Sequence, residues 1–273
     1  MTVRPLPVAA SAMLLLLLVG CSDDDRDGPP PDAAKPWSDE APDLVLDVIS
    51  SPGDQPSFAL EPPDLAVEVV AAPGGRLQTV PGPTGAAGAV LFPSVEESTQ
   101  GRDAVLRVIA PDDSRVLEPG SADFWFGLDL QFPEATSSSD ADNGDNLLQR
   151  GLFGDTGQLK LQADHGVPSC RVAGESGDVT VKADAALPTG PWFRVRCQRT
   201  AGQVTLYVGE VDASGTVEAW RHWTEEGPTG EIDFPDPAPA VSIGGKLNPQ
   251  GGLVEDAPDQ FNGALTHVVY GVR

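Results

Sequence analysis

The sequence predicts an all-β sandwich, and three observations lead to this fold class. Short stretches that alternate apolar and polar residues recur after residue 43, and a period of two is typical of half-buried strands. The chain has 30 glycines and 27 prolines, and most of them interrupt these stretches at turns. Helical periodicity over twelve or more residues is absent after the first twenty residues. We therefore expect strands with one buried and one wet face.

The first twenty residues resemble a bacterial lipoprotein signal peptide. Arg4 precedes an apolar run from Val8 to Val19, and Leu18-Val19-Gly20-Cys21 is similar to a lipobox. The run is too short to cross the ~30 Å hydrocarbon core of a bilayer as a helix. The resemblance implies cleavage before Cys21 and a lipid on that cysteine. It places the protein at the outer side of the cytoplasmic membrane or at the cell surface. An ordinary secretory signal or a tilted membrane anchor is the alternative.

Residues 21–42 are predicted to form a disordered tether. They combine an acidic run with several prolines, and Trp37 is their one large apolar side chain. Such a composition stays solvated and semi-extended, so at ~3 Å per residue the tether spans several tens of Å. We expect Trp37 to remain undocked.

Residues 43–273 form one compositional block, which fits a single large β domain. No repeat with a period of 20–50 residues indicates a solenoid or a propeller. The predicted strands are Ala66–Ala71, Ala104–Ile109, Phe124–Phe132, Gln158–Gln162, Asp178–Ala183, Phe193–Gln198, Gln203–Val208, Ala240–Ile243 and Ala264–Tyr270.

Two cysteines remain once Cys21 is assigned to the lipid. Cys170 and Cys197 lie in an exported region where disulfides form, and one pair allows a single connectivity. We therefore predict a Cys170–Cys197 disulfide, worth about 3–4 kcal/mol in the chain-entropy model. Zinc ligation is the alternative, but a second pair of Cys or His ligands is not found nearby in the sequence.

Seven stretches in order carry a family resemblance. They are Asn146–Gly151, Gly157–Leu161, Cys170–Val172, Trp192–Arg199, Val204–Val208, Ser242–Gly245 and Phe261–Leu265. Together they resemble a laminin G-like domain, which implies a jelly-roll sandwich of the concanavalin A-like lectin type. The likeness is clearest over residues 120–273, and Gly88–Pro93 is similar to an early strand. Two departures are Phe193, where the family often has His, and residues 209–215, which imply a longer hairpin loop.

Alternation within the strands predicts which side chains form the core. We expect the Trp192 ring to pack inside the sandwich beside the disulfide. In the last strand, one face is predicted to hold Ala264, Thr266, Val268 and Tyr270, and the other Leu265, His267 and Val269. His267 is interpreted as a structural hydrogen-bonding residue.

The stretch Ala219–Trp223 is the most ligand-like part of the sequence. In an extended strand, Trp220 and His222 face one way while Arg221 and Trp223 face the other. Indoles beside polar groups stack on sugar rings and bond their hydroxyls. This pattern predicts glycan contact, and the alternative is that one tryptophan is core and the other covers a loop.

Acidic loops offer hard oxygen ligands for Ca²⁺. The first candidates lie in the loop 137–146, and others are chosen by their nearness to predicted strand ends, since laminin G-like domains often carry calcium at a loop rim. The loop is not an EF-hand, because its glycine comes one position early and Gly151 replaces the twelfth-position glutamate. A solvated surface is the alternative. The candidate ligands are Asp140, Asp142, Asp145, Asp155, Asp256 and Asp259.

Catalysis is not expected. Residues Glu231, Asp233 and Asp236 are similar to the Glu-x-Asp-x-x-Glu strand motif of glycoside hydrolases, whose retaining members hold two carboxylates about 5 Å apart. However, Pro235 interrupts the strand, and the segment coincides with a turn of the laminin G-like pattern. A divergent hydrolase is kept as an alternative.

The net charge is −24, and loss of the signal peptide removes Arg4 and no acid. Nucleic acid and anionic lipid surfaces are therefore disfavoured as partners. The leading hypothesis is a lipid-anchored binding module for envelope or extracellular glycan or for a protein partner. A structural envelope lipoprotein without a small-molecule site is a second alternative.

Overall fold

The computed structural model describes residues 35–37, 42–86, 88–111, 116–133, 145–254 and 259–273. These ranges contain sixteen strands and one short helix, and they include no helix with the length and apolar character needed to span a membrane. The elements are β1 Leu44–Val48, β2 Phe58–Glu61, β3 Ala66–Ala71, β4 Gln78–Pro81, β5 Gly88–Leu91, α1 Val95–Thr99, β6 Ala104–Ile109, β7 Phe124–Gln131, β8 Asp145–Arg150, β9 Gln158–Asp164, β10 Val167–Gly174, β11 Gly177–Lys182, β12 Trp192–Thr200, β13 Gln203–Val211, β14 Arg221–Glu226, β15 Val241–Ile243 and β16 Ala264–Val272.

The strands pair in two antiparallel sheets that face each other. The nine-stranded sheet has the order β14-β13-β12-β7-β16-β1-β5-β4, with β2 beside β1. The seven-stranded sheet has the order β11-β10-β9-β8-β15-β6-β3. The predicted all-β sandwich is confirmed, and each of the nine predicted strands corresponds to an observed strand.

The apolar core lies between the two sheets. On β12, Phe193, Val195 and Cys197 point inward, and Leu128 and Leu130 of the neighbouring β7 also join this core. The Cys170–Cys197 disulfide connects β10 of one sheet to β12 of the other, with a Cα–Cα distance of 6.0 Å. The predicted disulfide is therefore confirmed, and it joins the two layers directly.

Trp192 lies on the opposite face of β12 from the disulfide. It forms a small apolar cluster with Ala89, Val211 and Ala264, outside the space between the sheets. The predicted position beside the disulfide is wrong. Side chains on one face of a strand are an even number of residues apart, and Trp192 and Cys197 are an odd number apart in β12. Trp192 therefore shares its face with Arg194, whereas the cysteine faces the core.

A β-bulge in β16 changes which residues of the last strand face inward. The pairing of β16 with β7 shifts register between Thr266 and Val269, and His267 has a φ of 50°. Consequently Leu265, Val268 and Tyr270 all join the main core. The predicted regular alternation is wrong because a bulge inserts one unpaired residue. As expected, His267 has a structural contact: its Nδ1 lies 3.1 Å from Asp47 Oδ1.

Trp37 contacts the domain. Its backbone N–H donates to Gln198 Oε1 at 3.3 Å, and the Arg273 guanidinium lies 4.8 Å from the centre of its ring. The expectation that Trp37 stays undocked is wrong, because a cation–π contact with the last residue of the chain holds the indole. The predicted signal peptide, Cys21 and most of the predicted tether lie outside the described residues.

Candidate functional site

The predicted glycan-contacting residues lie at the edge of the nine-stranded sheet. Arg221, His222 and Trp223 belong to the edge strand β14, and Trp220 immediately precedes it. On the outer face, Tyr207 of β13 packs edge-to-face against Trp220 at 6.4 Å between ring centres and lies 5.8 Å from His222. Trp220 and His222 therefore share one face, as the alternation predicts.

Both indoles are engaged in packing. Trp223 is half-buried against the main core, and the Arg221 guanidinium lies 5.6 Å from its ring centre. Trp220 is half-buried, and a Cβ added at Gly209 would lie 3.3 Å from Trp220 Cε3. The structure thus brings the four residues together, but the indole faces are partly covered by protein. Glycan contact at this strand stays a prediction.

The predicted calcium ligands that the structure describes have other contacts. Asp155 accepts a hydrogen bond from the Leu152 backbone N–H at 2.7 Å and so closes a turn. Asp259 lies 2.7 Å from Lys246 Nζ and 3.9 Å from Lys160 Nζ. Because two ammonium groups repel a divalent cation, the surroundings of Asp259 disfavour calcium.

The start of β8 contacts the segment that contains Asp259. The Asn146 backbone N–H donates to the Asp259 carbonyl oxygen at 2.9 Å, and Asn146 Oδ1 and Asp259 Oδ1 are buried with no hydrogen-bond partner among the described residues. Across the described ranges, His, Cys, Asp and Glu side chains do not assemble into a group of three that would hold a metal ion. Asp140, Asp142 and Asp256 lie outside those ranges, so calcium binding in the loops stays a prediction.

The hydrolase-like segment follows an irregular path. Ile232 makes an isolated bridge with Gly120, while Glu231, Asp233 and Asp236 are exposed and belong to none of the sixteen strands. This agrees with the expectation of a turn before β15. The glycosidase motif requires its carboxylates to lie along a regular strand. The acids of this segment do not.

A groove of 600 Å³ crosses the outer face of the seven-stranded sheet, on the side away from the core. Its floor is formed by side chains of β8, β9, β10 and β11, which alternate with core residues along each strand. The lining residues are Gln149, Leu152, Phe153, Gln158, Lys160, Gln162, Ser169, Arg171, Asp178, Thr180 and Lys246. We call this feature the β8–β11 groove.

The floor of the β8–β11 groove belongs to a row of polar residues that crosses the whole sheet. Strand pairing places one residue of each of the seven strands side by side, at the ~4.8 Å spacing of neighbouring strands. The row is Glu68, Arg107, Ser242, Gln149, Lys160, Arg171 and Thr180. A ligand lying across the strands would therefore meet a polar group at every step.

Two amides of the groove are held in fixed orientations. Gln149 Nε2 donates to the Gly151 carbonyl oxygen at 2.7 Å, and its Oε1 accepts from Asn146 Nδ2 at 2.6 Å. Gln158 Nε2 donates to the same Gly151 oxygen at 3.2 Å, while its Oε1 accepts from Arg171. Each amide group uses both its oxygen and its nitrogen, so the floor is preorganised.

Phe153 stands at one end of the groove and is 87% exposed, more than any other large apolar residue described. It sits in the turn between β8 and β9 that Asp155 closes. The turn is braced from outside, because the Thr156 hydroxyl donates to the Asp233 carbonyl oxygen at 2.9 Å. The Arg171 guanidinium carbon lies 5.0 Å from the Phe153 ring centre. The exposed ring is therefore held beside a cation.

The sequence interpretation missed this groove. The available signal was the alternation in β9 and β10. Gln158, Lys160 and Gln162 share one face of β9, and Ser169 and Arg171 share one face of β10. The sequence analysis predicts only that each strand has one wet face. Pairing of the two strands, which local sequence does not specify, brings these faces together.

Comparison with known proteins bears on the fold. No protein-family model and no curated protein sequence matches this chain. The binding domain of botulinum neurotoxin DC in complex with SialylT has a TM-score of 0.53 at 12% identity, covering 84% of this chain and 47% of that chain. The binding domain of Paraclostridial mosquitocidal protein 1 also has a TM-score of 0.53, at 13% identity, covering 85% and 49%. The LG1-3 region of the laminin alpha2 chain has a TM-score of 0.46 at 16% identity, covering 62% and 31%.

The fold is a two-sheet jelly-roll β-sandwich, which the two toxin binding domains share. Sequence identities of this size show the fold alone. The chain spans about half the length of the toxin binding domains and about a third of the laminin region. The two toxin neighbours are binding domains.

Proposed function

We propose that this protein is a carbohydrate-binding module without catalytic activity. It is held by a lipid on Cys21 at the outer side of the cytoplasmic membrane or at the cell surface, and the β8–β11 groove contacts the glycan. The observation that carries the proposal is the exposed Phe153 ring standing beside a floor of fixed amide side chains.

The chemistry of the groove suits a sugar. A pyranose ring has an apolar face of C–H groups that stacks on an aromatic ring, and its hydroxyl groups need donors and acceptors. The groove offers the Phe153 ring together with the polar side chains of Gln162, Ser169 and Thr180. Because the floor and the turn are already ordered, little conformational entropy is lost on binding.

The fold and the lipobox-like sequence support the same role. The botulinum neurotoxin DC binding domain, which has this fold, was determined in complex with SialylT. The lipobox-like residues Leu18–Cys21 support membrane attachment of this chain. The net charge of −24 disfavours nucleic acid as a partner.

A glycan array tests the proposal. The full chain, purified in detergent, is applied in its original form and as the Phe153→Ala variant. We expect retention of at least one glycan class and about a tenfold loss of affinity in the variant, since an aromatic contact is worth about 1 kcal/mol or more. Ile49→Ala is the matched control because Ile49 is also an exposed apolar residue, 65% exposed, away from the groove.

A third variant separates the two candidate sites. Trp220→Ala removes an indole of the predicted edge-strand site and leaves the groove intact. If Trp220→Ala abolishes retention while Phe153→Ala does not, the glycan site lies at β14. If no glycan is retained and an envelope protein co-purifies at equal stoichiometry, the scaffold alternative replaces the proposal.

A further inference from the structure

The β8–β11 groove has a different charge from the rest of the molecule. The chain carries 17 basic and 41 acidic residues, yet the groove is lined by Lys160, Arg171 and Lys246 and by a single acid, Asp178. Asp259 adjoins the lysines from outside the lining. Three cations thus meet two carboxylates, and the groove has a local positive excess.

The existing ion pairs leave Lys160 as the least compensated cation. Lys246 Nζ lies 2.7 Å from Asp259 Oδ2, and Arg171 Nε lies 3.2 Å from Asp178 Oδ2. Lys160 Nζ lies 3.9 Å from Asp259 and makes no hydrogen bond with the described residues. Its ammonium group therefore faces the groove with its donors available.

The surroundings of Lys160 favour an added negative charge. Lys160 stands directly opposite Arg171 in the pairing of β9 with β10, and its side chain is only 18% exposed. Burial lowers the pKa of Lys160, as do the positive charges of Lys246 and Arg171, while Asp259 raises it. An anion bound between Lys160 and Arg171 would relieve this repulsion.

We propose that the groove selects an acidic glycan, with a sugar ring on Phe153 and the anionic group of the glycan between Lys160 and Arg171. The geometry supports this pairing because the Arg171 guanidinium already lies 5.0 Å from the Phe153 ring centre. A charged group on the stacked sugar or its neighbour is then within reach of both cations. This inference rests on the proposed glycan-binding function and adds the charge of the ligand.

The chain itself offers a matched pair of variants. Lys160→Gln removes the groove cation, whereas Lys182→Gln removes a lysine at the end of β11, outside the groove lining. Lys182 Nζ lies 3.3 Å from Asp164 and is half-exposed. Both variants change the net charge equally, so a difference between them reports the local contact and not the overall field.

The experiment measures binding of the full chain in detergent to three probes. They are an oligogalacturonate, which carries carboxylates, its methyl ester, which is neutral, and a sulfated heparin oligosaccharide. We expect an acidic probe to bind at least tenfold more tightly than the methyl ester. Lys160→Gln is expected to lose about tenfold affinity for that acidic probe, and Lys182→Gln less than twofold. Preference between the carboxylated and sulfated probes identifies the anionic group.

Two outcomes overturn the inference, and they are distinguishable. If the methyl ester binds as tightly as the acidic probes and Phe153→Ala weakens both, the groove binds sugar without charge selection and the proposed function stands. If the chain retains neither these probes nor any glycan of the array, the proposed function fails with the inference. Thermal unfolding of each variant shows that the fold is kept.

Discussion

Arg194 and Arg196 both lie on the outer face of β12 and approach Asp129, but their pairing differs. Arg194 binds both oxygens of Asp129, at 2.7 and 2.8 Å. Arg196 lies 3.7 Å from one of these oxygens, and its Nε is buried with no hydrogen-bond partner among the described residues. Burial lowers the pKa of Arg196 to about 9, although Asp129 raises it. Arg194 is therefore the true partner of the buried carboxylate.

A pair of substitutions tests this difference. Arg194→Met leaves Asp129 buried with only a distant cation, so we expect the free energy of unfolding to fall by about 3 kcal/mol. Arg196→Met replaces a poorly satisfied buried charge with an apolar chain, so the expected loss is below about 1 kcal/mol. Urea denaturation monitored by tryptophan fluorescence measures both. Equal losses in the two variants would contradict the assignment of Arg194 as the partner of Asp129.

At the level of single residues, alternation along the sequence predicts the sheet face on which a side chain lies only while the strand is regular. Cys197 and Cys170 were paired correctly because the two cysteines that remain after Cys21 leave one connectivity. Trp192 was predicted on the wrong face, because the alternation that buries Phe193, Val195 and Cys197 places Trp192 on the outer face with Arg194. His267 could not be foreseen as a bulge, since its positive φ depends on the pairing of β16 with two neighbours.

The close approach of β7 and β12 explains why position 127 in the nine-stranded sheet is glycine. A Cβ at Gly127 would collide with the Val195 carbonyl oxygen and would lie 2.8 Å from Arg196 Cδ. The buried Arg196 side chain therefore crosses the sheet over the position where Gly127 has no side chain. The arrangement requires glycine at that point.

Gly127→Ala is accordingly expected to destabilise the protein by about 1–3 kcal/mol, because backbone or arginine must shift. Gly202→Ala is the matched control, since a Cβ there has no atom within 4 Å. Differential scanning calorimetry gives both melting temperatures. If Gly127→Ala has the same melting temperature as the original protein, β7 and β12 can move apart without cost and the account of this glycine is contradicted.

The turn between β8 and β9 links a structural element to the proposed function. Asp155 accepts from the Leu152 N–H and thereby fixes the turn that carries Phe153. We expect Asp155→Ala to cost about 1 kcal/mol of stability and to weaken glycan retention without removing a ligand contact. Asp155→Asn keeps an acceptor and is expected to restore most of both. If Asp155→Ala is less stable than the original protein only in buffer that contains calcium, Asp155 instead belongs to a metal site.

The elements themselves were well predicted where alternation was strong. The bounds of β3 and β6 agree fully with the predicted strands Ala66–Ala71 and Ala104–Ile109. The helix α1 was missed because its five residues are too short for a helical period, although Ser94 and Glu97 form a capping box. β2 and β4 were missed because each has four residues, and a pattern this short does not distinguish a strand from a loop.

At the scale of the whole molecule, the sequence predicted a two-layered sandwich but not the position of the β8–β11 groove. Strand alternation specifies that each strand has a wet face, whereas only the sheet order decides which wet faces are neighbours. The β8–β11 groove arises because four consecutive strands form consecutive hairpins in one sheet. By contrast, the predicted β14 site depended on the composition and alternation of one strand, and packing against Tyr207 partly covers it.

The proposed membrane attachment concerns the whole chain and has its own test. Cells grown with an alkyne-tagged fatty acid are expected to label the original protein, because Cys21 ends the lipobox-like sequence. Cys21→Ser is expected to lose the label and to leave the membrane fraction. Ser22→Ala, the adjacent control, is expected to keep both. Membrane retention of Cys21→Ser would favour an uncleaved apolar anchor.

Hydrogen–deuterium exchange of the full chain, with and without the glycan that the array retains most strongly, tests the central claim most directly. Bound glycan is predicted to slow exchange in the segments around the β8–β11 groove, residues 149–162 and 169–180. The edge strand, residues 219–226, is predicted to exchange at an unchanged rate. Protection of residues 219–226 without protection of the groove would contradict the account and return the binding site to Trp220 and its neighbours.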